Sequence, residues 1–269
     1  MSYAKMNSLL KSLGCAAVLA GSSLGVSVAH ADYADTVLNN ENLIAYYRLS
    51  EDPGETTTAT DASGNDHHGT YNGSPLTTTG PMADDGAPSL GDDNLAINFN
   101  GEGMIAIDPA AVDKEQVTFT GFFRSTGDSI GQRFYTTQAS SSYQFTIAVT
   151  ETNTLSVTVQ KGNDGWTSAS IDLSSALDGE SALDGEWHHL VVSRGGNNWS
   201  DVEIWIDFES VETTQGSPIG QGLAADAIIG ARSLHPANAF HGSMDEIAFF
   251  EGAFTQSDVD ALKAALLVP

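Results

Sequence analysis

Val117-Thr-Phe-Thr-Gly-Phe-Phe123 alternates with a period of two, so that Val117, Phe119, Gly121 and Phe123 fall on one side of an extended chain. The same beat returns in Tyr143-Gln-Phe-Thr-Ile-Ala-Val149, Leu155-Ser-Val-Thr-Val159 and Val202-Glu-Ile-Trp-Ile-Asp-Phe208. Successive side chains of a strand point to opposite faces, so each run predicts a half-buried antiparallel strand with one face on a core and one in water. In the last run Trp205 points away from Ile204 and Ile206. Between the runs stand Gly162-Asn-Asp-Gly165 and Gly195-Gly-Asn-Asn198, which carry turn chemistry. Many short strands with frequent turns predict an all-β sandwich. Helical periodicity is almost confined to the end, where Thr255 and Asp258 cap a short helix with Val259, Leu262 and Leu266 facing inward.

Two regions break the rhythm. Residues 50–93 are dense in Asp, Thr, Gly and Pro with little alternation, and so long a connection in a compact domain must be tied down. Ser175-Ala-Leu-Asp-Gly-Glu180 is followed at once by a second copy, Ser181-Ala-Leu-Asp-Gly-Glu186. It reads as a tolerated loop insertion, because extra loop residues cost little closure entropy.

Residues 1–31 have the form of an export signal. Lys5 and Lys11 precede an apolar run from Leu13 to Val28, and Ala29-His-Ala31 forms a small-x-small cleavage site. The run is too short for a membrane span of about twenty residues, so a secreted protein, periplasmic or extracellular and without membrane insertion, is expected. The single cysteine, Cys15, lies within this signal. The remainder, 32–269, fits one sandwich domain. Ten Lys and Arg stand against 35 Asp and Glu, a formal net charge of −25, which disfavours nucleic acid and anionic membranes as partners. Such a surface suits salty surroundings, and its carboxylates could also gather cations.

Several stretches, in order, resemble the laminin-G-like domains of the concanavalin A-like lectin/glucanase superfamily. They are Leu43 to Leu49; Thr60-Asp-Ala-Ser-Gly-Asn-Asp-His-His-Gly-Thr-Tyr71; Asn98-Phe-Asn-Gly101; Trp187-His-His-Leu-Val191 with Val202 to Asp207; and Ala227 to Arg232 with Phe240-His-Gly-Ser-Met-Asp-Glu-Ile-Ala-Phe-Phe250 and Gly252-Ala-Phe-Thr255. The chain departs where the family usually has a tryptophan (Phe122-Phe123 here) and a glycine after the aspartate (Phe208 here), which puts the hairpin beyond Asp207 in question. The resemblance implies an antiparallel jelly-roll β-sandwich that binds carbohydrate or protein at or outside the cell surface. It also implies one structural calcium ion pinning the early loop to the last strand.

Calcium takes six to eight oxygens. Asp61, Ser63, Asn65 and Asp66 around Gly64 supply an oxygen-rich turn, and the resemblance places Asp245 nearby, with Asn100 and Glu246 as weaker candidates. The alternative is that Asp61 and Asn65 only close side-chain-to-backbone turns. For a sugar, Trp166 and Trp199 stand in predicted turns beside Asn163-Asp164 and Asn197-Asn198, and Tyr71 lies in the early loop; aromatic faces beside polar groups suit a pyranose ring. The pairs His67-His68 and His188-His189 cannot chelate one ion from a strand, because neighbours face opposite ways. Glu203-Ile-Trp-Ile-Asp207 puts two carboxylates on one strand face, where retaining glycosidases of similar architecture carry three acids at alternate positions; tryptophan takes the middle position here. The expectation is therefore a non-catalytic, calcium-supported module for polysaccharide or cell-surface glycan. A structural or adhesive protein that binds other surface proteins is the alternative, and a glycoside hydrolase stands behind both.

Overall fold

The computed structural model describes residues 32–126, 131–137, 143–150, 153–161, 165–217, 227–232 and 238–268. The export segment 1–31 and the candidate ligand residues Asn163 and Asp164 lie outside these.

The chain order begins with α1 (Tyr33–Leu38), β1 (Leu43–Tyr47), β2 (Thr58–Ala59), β3 (Gly69–Asn72), β4 (Leu76–Thr79), β5 (Leu95–Asn98) and β6 (Met104–Ile107). After the short helix α2 (Pro109–Val112) come β7 (Val117–Arg124), β8 (Arg133–Thr136), β9 (Tyr143–Val149), β10 (Thr154–Lys161) and β11 (Thr167–Asp172). Then follow β12 (Trp187–Arg194), β13 (Val202–Ile206), β14 (Glu209–Val211), β15 (Thr214–Gly216), β16 (Ala227–Ile229), β17 (Ser243–Glu251) and α3 (Gln256–Leu266). They form two antiparallel sheets. One has eight strands, β14-β13-β12-β7-β17-β5-β4 with β1 also on β17; the other has nine, β15-β11-β10-β9-β8-β16-β6-β3-β2.

The alternation read from the sequence places the core between the sheets. Val117, Phe119 and Phe123 meet Phe145, Ile147, Val149, Leu155, Val157 and Val159 there, with Ile204 and Ile206 in the same cluster. The expected wet face holds less well. Every residue of β7 from Val117 to Phe123 is buried, because the outer face of the eight-stranded sheet carries a second core under α1 and α3. Tyr33 and Val37 of α1 and Val259, Leu262 and Leu266 of α3 pack there on Phe122, Trp187, Val191 and Trp205. Trp205 lies on the face opposite Ile204 and Ile206, as alternation requires, and its Nε1 donates to Gln256 Oε1 at 2.8 Å. The C-terminal helix starts as read: the Thr255 backbone N and Oγ1 each donate to Asp258 Oδ2 at 2.7 Å. The segment 33–38 was not legible as a helix because it is six residues long with only Tyr33 and Val37 buried.

The hairpin beyond Asp207 does form. Ile206 pairs with Glu209, and the two turn residues, Asp207 and Phe208, both take left-handed backbone angles, φ 50° and 68°. Such a turn matches the twist of the flanking strands and normally takes Asn-Gly. Here the Phe208 ring is buried and stacks on His189 with centroids 4.3 Å apart, which offsets the strain of a bulky left-handed residue. The tandem repeat is not a bare loop. Each copy buries a leucine in the core, Leu177 and Leu183, and Asp184 Oδ1 of the second copy lies in hydrogen-bond contact with His188 Nε2 at 3.1 Å.

Candidate functional site

The early loop is fastened by its own side chains. Asp61 Oδ1 accepts from the backbone N of Tyr46 and Ser63, both at 2.9 Å, and Oδ2 accepts from Ser63 Oγ at 2.8 Å and His67 N at 3.0 Å. Asn65 Nδ2 donates to the carbonyls of Leu43 and Ile44. The turn reading of Asp61 and Asn65 therefore accounts for their contacts: four donors occupy a buried carboxylate and tie residues 61–67 to β1. Asp66 is exposed with φ 59°, and Asn100 is exposed with φ 50° in the turn from β5 to β6.

Asp245 lies at a break in the longest strand, β17, which pairs with β1, and Tyr47 of β1 also bridges to Asp61. β5 pairs with the first residues of β17, β1 pairs with its later residues, and a bulge between Asp245 and Ala248 marks the junction, with Glu246 at φ 51°. Both acids are fully buried. Asp245 Oδ2 accepts from Asn94 Nδ2 at 2.7 Å, and Glu246 Oε1 accepts from Arg48 Nε at 3.2 Å. Asp245 Oδ1 and Glu246 Oε2 have no partner among the described residues. Burial pushes the Asp245 carboxyl up to about 8, against the Asn94 hydrogen bond and the Arg48 charge, and raises Glu246 well above its usual range. A Cβ on Gly80 would come within 2.9 Å of Asp245 Oδ2, so backbone closes tightly over the pair. A cleft of about 330 Å³ lined by Arg48, Ser50, Asp92, Asp93 and Asn94 opens beside it. The oxygens are those a hard cation takes. Among the described residues no three His, Cys, Asp or Glu side chains converge on one point, so carbonyls and water would complete any shell.

The aromatic candidates separate. Tyr71 is a core residue whose hydroxyl donates to Glu51 Oε2 at 3.1 Å, and it lines a cleft with Asp52, Pro53, Pro75 and Leu76. Trp199 is half-buried against the core, in a short turn (Trp199–Asp201) that packs on β10, β11 and β15. Trp166 is half-buried just before β11. Asn197 is spent on structure: its Oδ1 accepts from Arg194 Nη2 at 2.6 Å. Asp207 holds the β12 histidines, with Oδ2 2.9 Å from His188 Nδ1 and Oδ1 accepting from His189 N. Glu203 is exposed and the intervening Trp205 is buried, so the carboxylates of β13 share no open groove.

The outer face of the nine-stranded sheet was not singled out from the sequence. In register across it run Thr136, Thr146, Thr158 and Ser168, and beside them Ala148, Ser156 and Ser170. Ser156 Oγ and Ser170 Oγ are 2.7 Å apart, while Ser168 Oγ and Thr136 Oγ1 are buried without a partner. At the edge, Gly216 is needed because a Cβ there would lie 1.9 Å from Ser170 Oγ. The signal was present in the even positions of Leu155-Ser-Val-Thr-Val159, whose polar members are all hydroxyls.

Residues 99–260 match the family model Laminin_G_3, concanavalin A-like lectin/glucanases superfamily. No curated protein sequence matches the chain. Among solved structures it is similar to domain 4 of AbnA, a GH43 extracellular arabinanase from Geobacillus stearothermophilus, in complex with arabinotriose. The identity is 19%, the TM-score 0.54, and the match covers 82% of this chain and 98% of that one. It is also similar to the binding domain of botulinum neurotoxin DC in complex with rat synaptotagmin II, at 13% identity and TM-score 0.52, over 84% of this chain and 52% of that one. A third is botulinum neurotoxin type C, which depends on two ganglioside molecules for entering cells, at 14% identity and TM-score 0.52, over 84% and 52%. The chain thus spans about half the length of the toxin structures it matches.

Proposed function

The chain belongs to the concanavalin A-like lectin/glucanases superfamily, and from that premise we propose that it is an exported, non-catalytic module that binds polysaccharide or cell-surface glycan on the outer face of its nine-stranded sheet. The observation that carries this is the row of hydroxyls from Thr136 to Ser168 with Ser156 and Ser170 beside it, half-buried at Thr146 and buried at the rest, two of them lacking partners among the described residues. A buried hydroxyl without a partner costs roughly 1–3 kcal/mol, which a ligand hydroxyl bonding to it recovers. The arabinotriose and gangliosides of two structural neighbours support a sugar as the ligand. Calcium in this reading is architectural, held by Asp245 and its neighbours on the opposite sheet; when bound it would neutralise buried carboxylates, and it takes no part in recognising the glycan.

A glycan-array screen repeated with and without chelator tests this. Binding is expected in both conditions, and the double variant Thr146→Val/Ser168→Ala weakens it roughly tenfold, about the worth of two neutral hydrogen bonds. Since Ser168 Oγ has no protein partner, the folded state should not suffer. Absence of glycan binding in either condition favours the protein-binding alternative.

A further inference from the structure

Arg133 opens β8 on the same outer face, opposite Ala148. It is 5% exposed, and its one hydrogen bond runs from Nη1 to the Gly131 carbonyl at 3.3 Å. Nε is buried without an acceptor, and among the described residues no carboxylate pairs with the guanidinium. In a chain with 35 Asp and Glu this is unexpected, since a buried charge left without a counter-ion costs several kcal/mol. The charge that does lie near is like in sign: burial, then Arg232, push Arg133 down to about 10, which leaves it protonated at neutral pH. Beside it Gln132 Oε1 accepts from His241 N at 3.0 Å while its Nε2 is buried without an acceptor, and Thr136 Oγ1 is likewise unpaired. Gly131, Arg232 and Asn238 are half-buried, so this end of the face reaches the surface.

Resting on the glycan reading, we infer that the Arg133 end of this face binds the anionic group of an acidic sugar, a uronate carboxylate or a sulfate ester, as the counter-ion that no described residue supplies. Arginine presents a planar fork of donors suited to such oxyanions. The acidic surface repels a polyanion at long range, so salt acts in an unusual direction: screening removes the distant repulsion and spares the buried contact. Affinity therefore rises from about 10 mM to about 150 mM salt, the reverse of a basic protein on a polyanion.

The test is calorimetric titration of the full mature chain with a polyuronate, the same polymer after carboxyl reduction, and a sulfated polysaccharide with its desulfated parent. The expected result is binding to at least one charged polymer, at least tenfold weaker binding to its neutral form, and a similar loss in Arg133→Gln; which charged arm binds identifies the anion. The free Arg133→Gln variant should be as stable as the wild type or more so, since it removes an unpaired charge, whereas a structural arginine would leave it less stable. Equal binding of charged and neutral forms, untouched by Arg133→Gln, overturns this inference and leaves the glycan reading standing. Binding to none of the four overturns this inference, while the glycan reading is overturned only if the array also shows no binding.

Discussion

Replacing Asp61 by alanine is expected to destabilise the protein by about 3 kcal/mol, lowering Tm by roughly 6–12 °C for a domain of this size. The carboxylate satisfies the backbone N–H of Tyr46, Ser63 and His67 and the Ser63 hydroxyl. Removing it leaves buried donors with no acceptor, and hydrogen bonds to a charged group are worth about 1.5–3 kcal/mol each. Thermal unfolding in chelator and in calcium checks this. The loss should be equal in both, because the clasp between loop and β1 is made of hydrogen bonds; a loss seen only with calcium would make Asp61 an ion ligand instead.

The second large effect concerns pH. Asp245, normally near 3.8, is raised to about 8 in the fold by burial. Below about pH 4 the carboxyl is protonated in both states and costs nothing. As pH climbs, the unfolded chain ionises while the folded one cannot, so stability falls until about pH 8, by an amount on the order of 5 kcal/mol from this group. Glu246, also raised, acts in the same direction. So does His188: burial works against its charge, but the Asp207 and Asp184 carboxylates outweigh it, and that stabilisation is lost as pH rises above the ordinary histidine range. In chelator the protein should therefore unfold at a higher temperature at pH 5 than at pH 8. Asp245→Asn should flatten that slope, keeping an acceptor for Asn94 without a charge to desolvate. Calcium at ten times its dissociation constant should stabilise the wild type at pH 8 by about 1.4 kcal/mol, a few degrees, and the variant much less. A wild-type slope that survives unchanged in Asp245→Asn contradicts this account.

The alternating runs were enough to orient the strands, because period two leaves only one set of side chains facing the core: Phe119, Ile147, Val157 and Ile204 all meet there. What alternation could not reveal is a third layer. Thr118, Thr120 and Phe122 look like a wet or mixed face, and only the docking of α1 and α3 buries them. The site was less legible for a related reason. Asp61 and Asp245 both read as oxygen donors; the turn reading of Asp61 covers its local donors, Ser63 N, Ser63 Oγ and His67 N, but the fourth, Tyr46 N, comes from β1, which no spacing encodes. Tyr71 likewise reads as a loop aromatic, yet it belongs to β3 and points into the core. The hydroxyl row needs the registers of β8 to β11 to become visible, since each strand contributes only one or two of its members. Arg133 carries no sequence signal: its meaning lies in the acid that is absent beside it among the described residues.

The central claim is that a sugar lies across the hydroxyl face. Amide chemical-shift mapping during titration with the tightest oligosaccharide of the screen tests it directly. The expected footprint is Thr136, Thr146, Ser156, Thr158, Ser168 and Ser170. Shifts confined instead to the cleft formed by Asp52, Pro53, Tyr71, Pro75 and Leu76, or to that of Asn42, Lys114, Gln116 and Glu251, would contradict it.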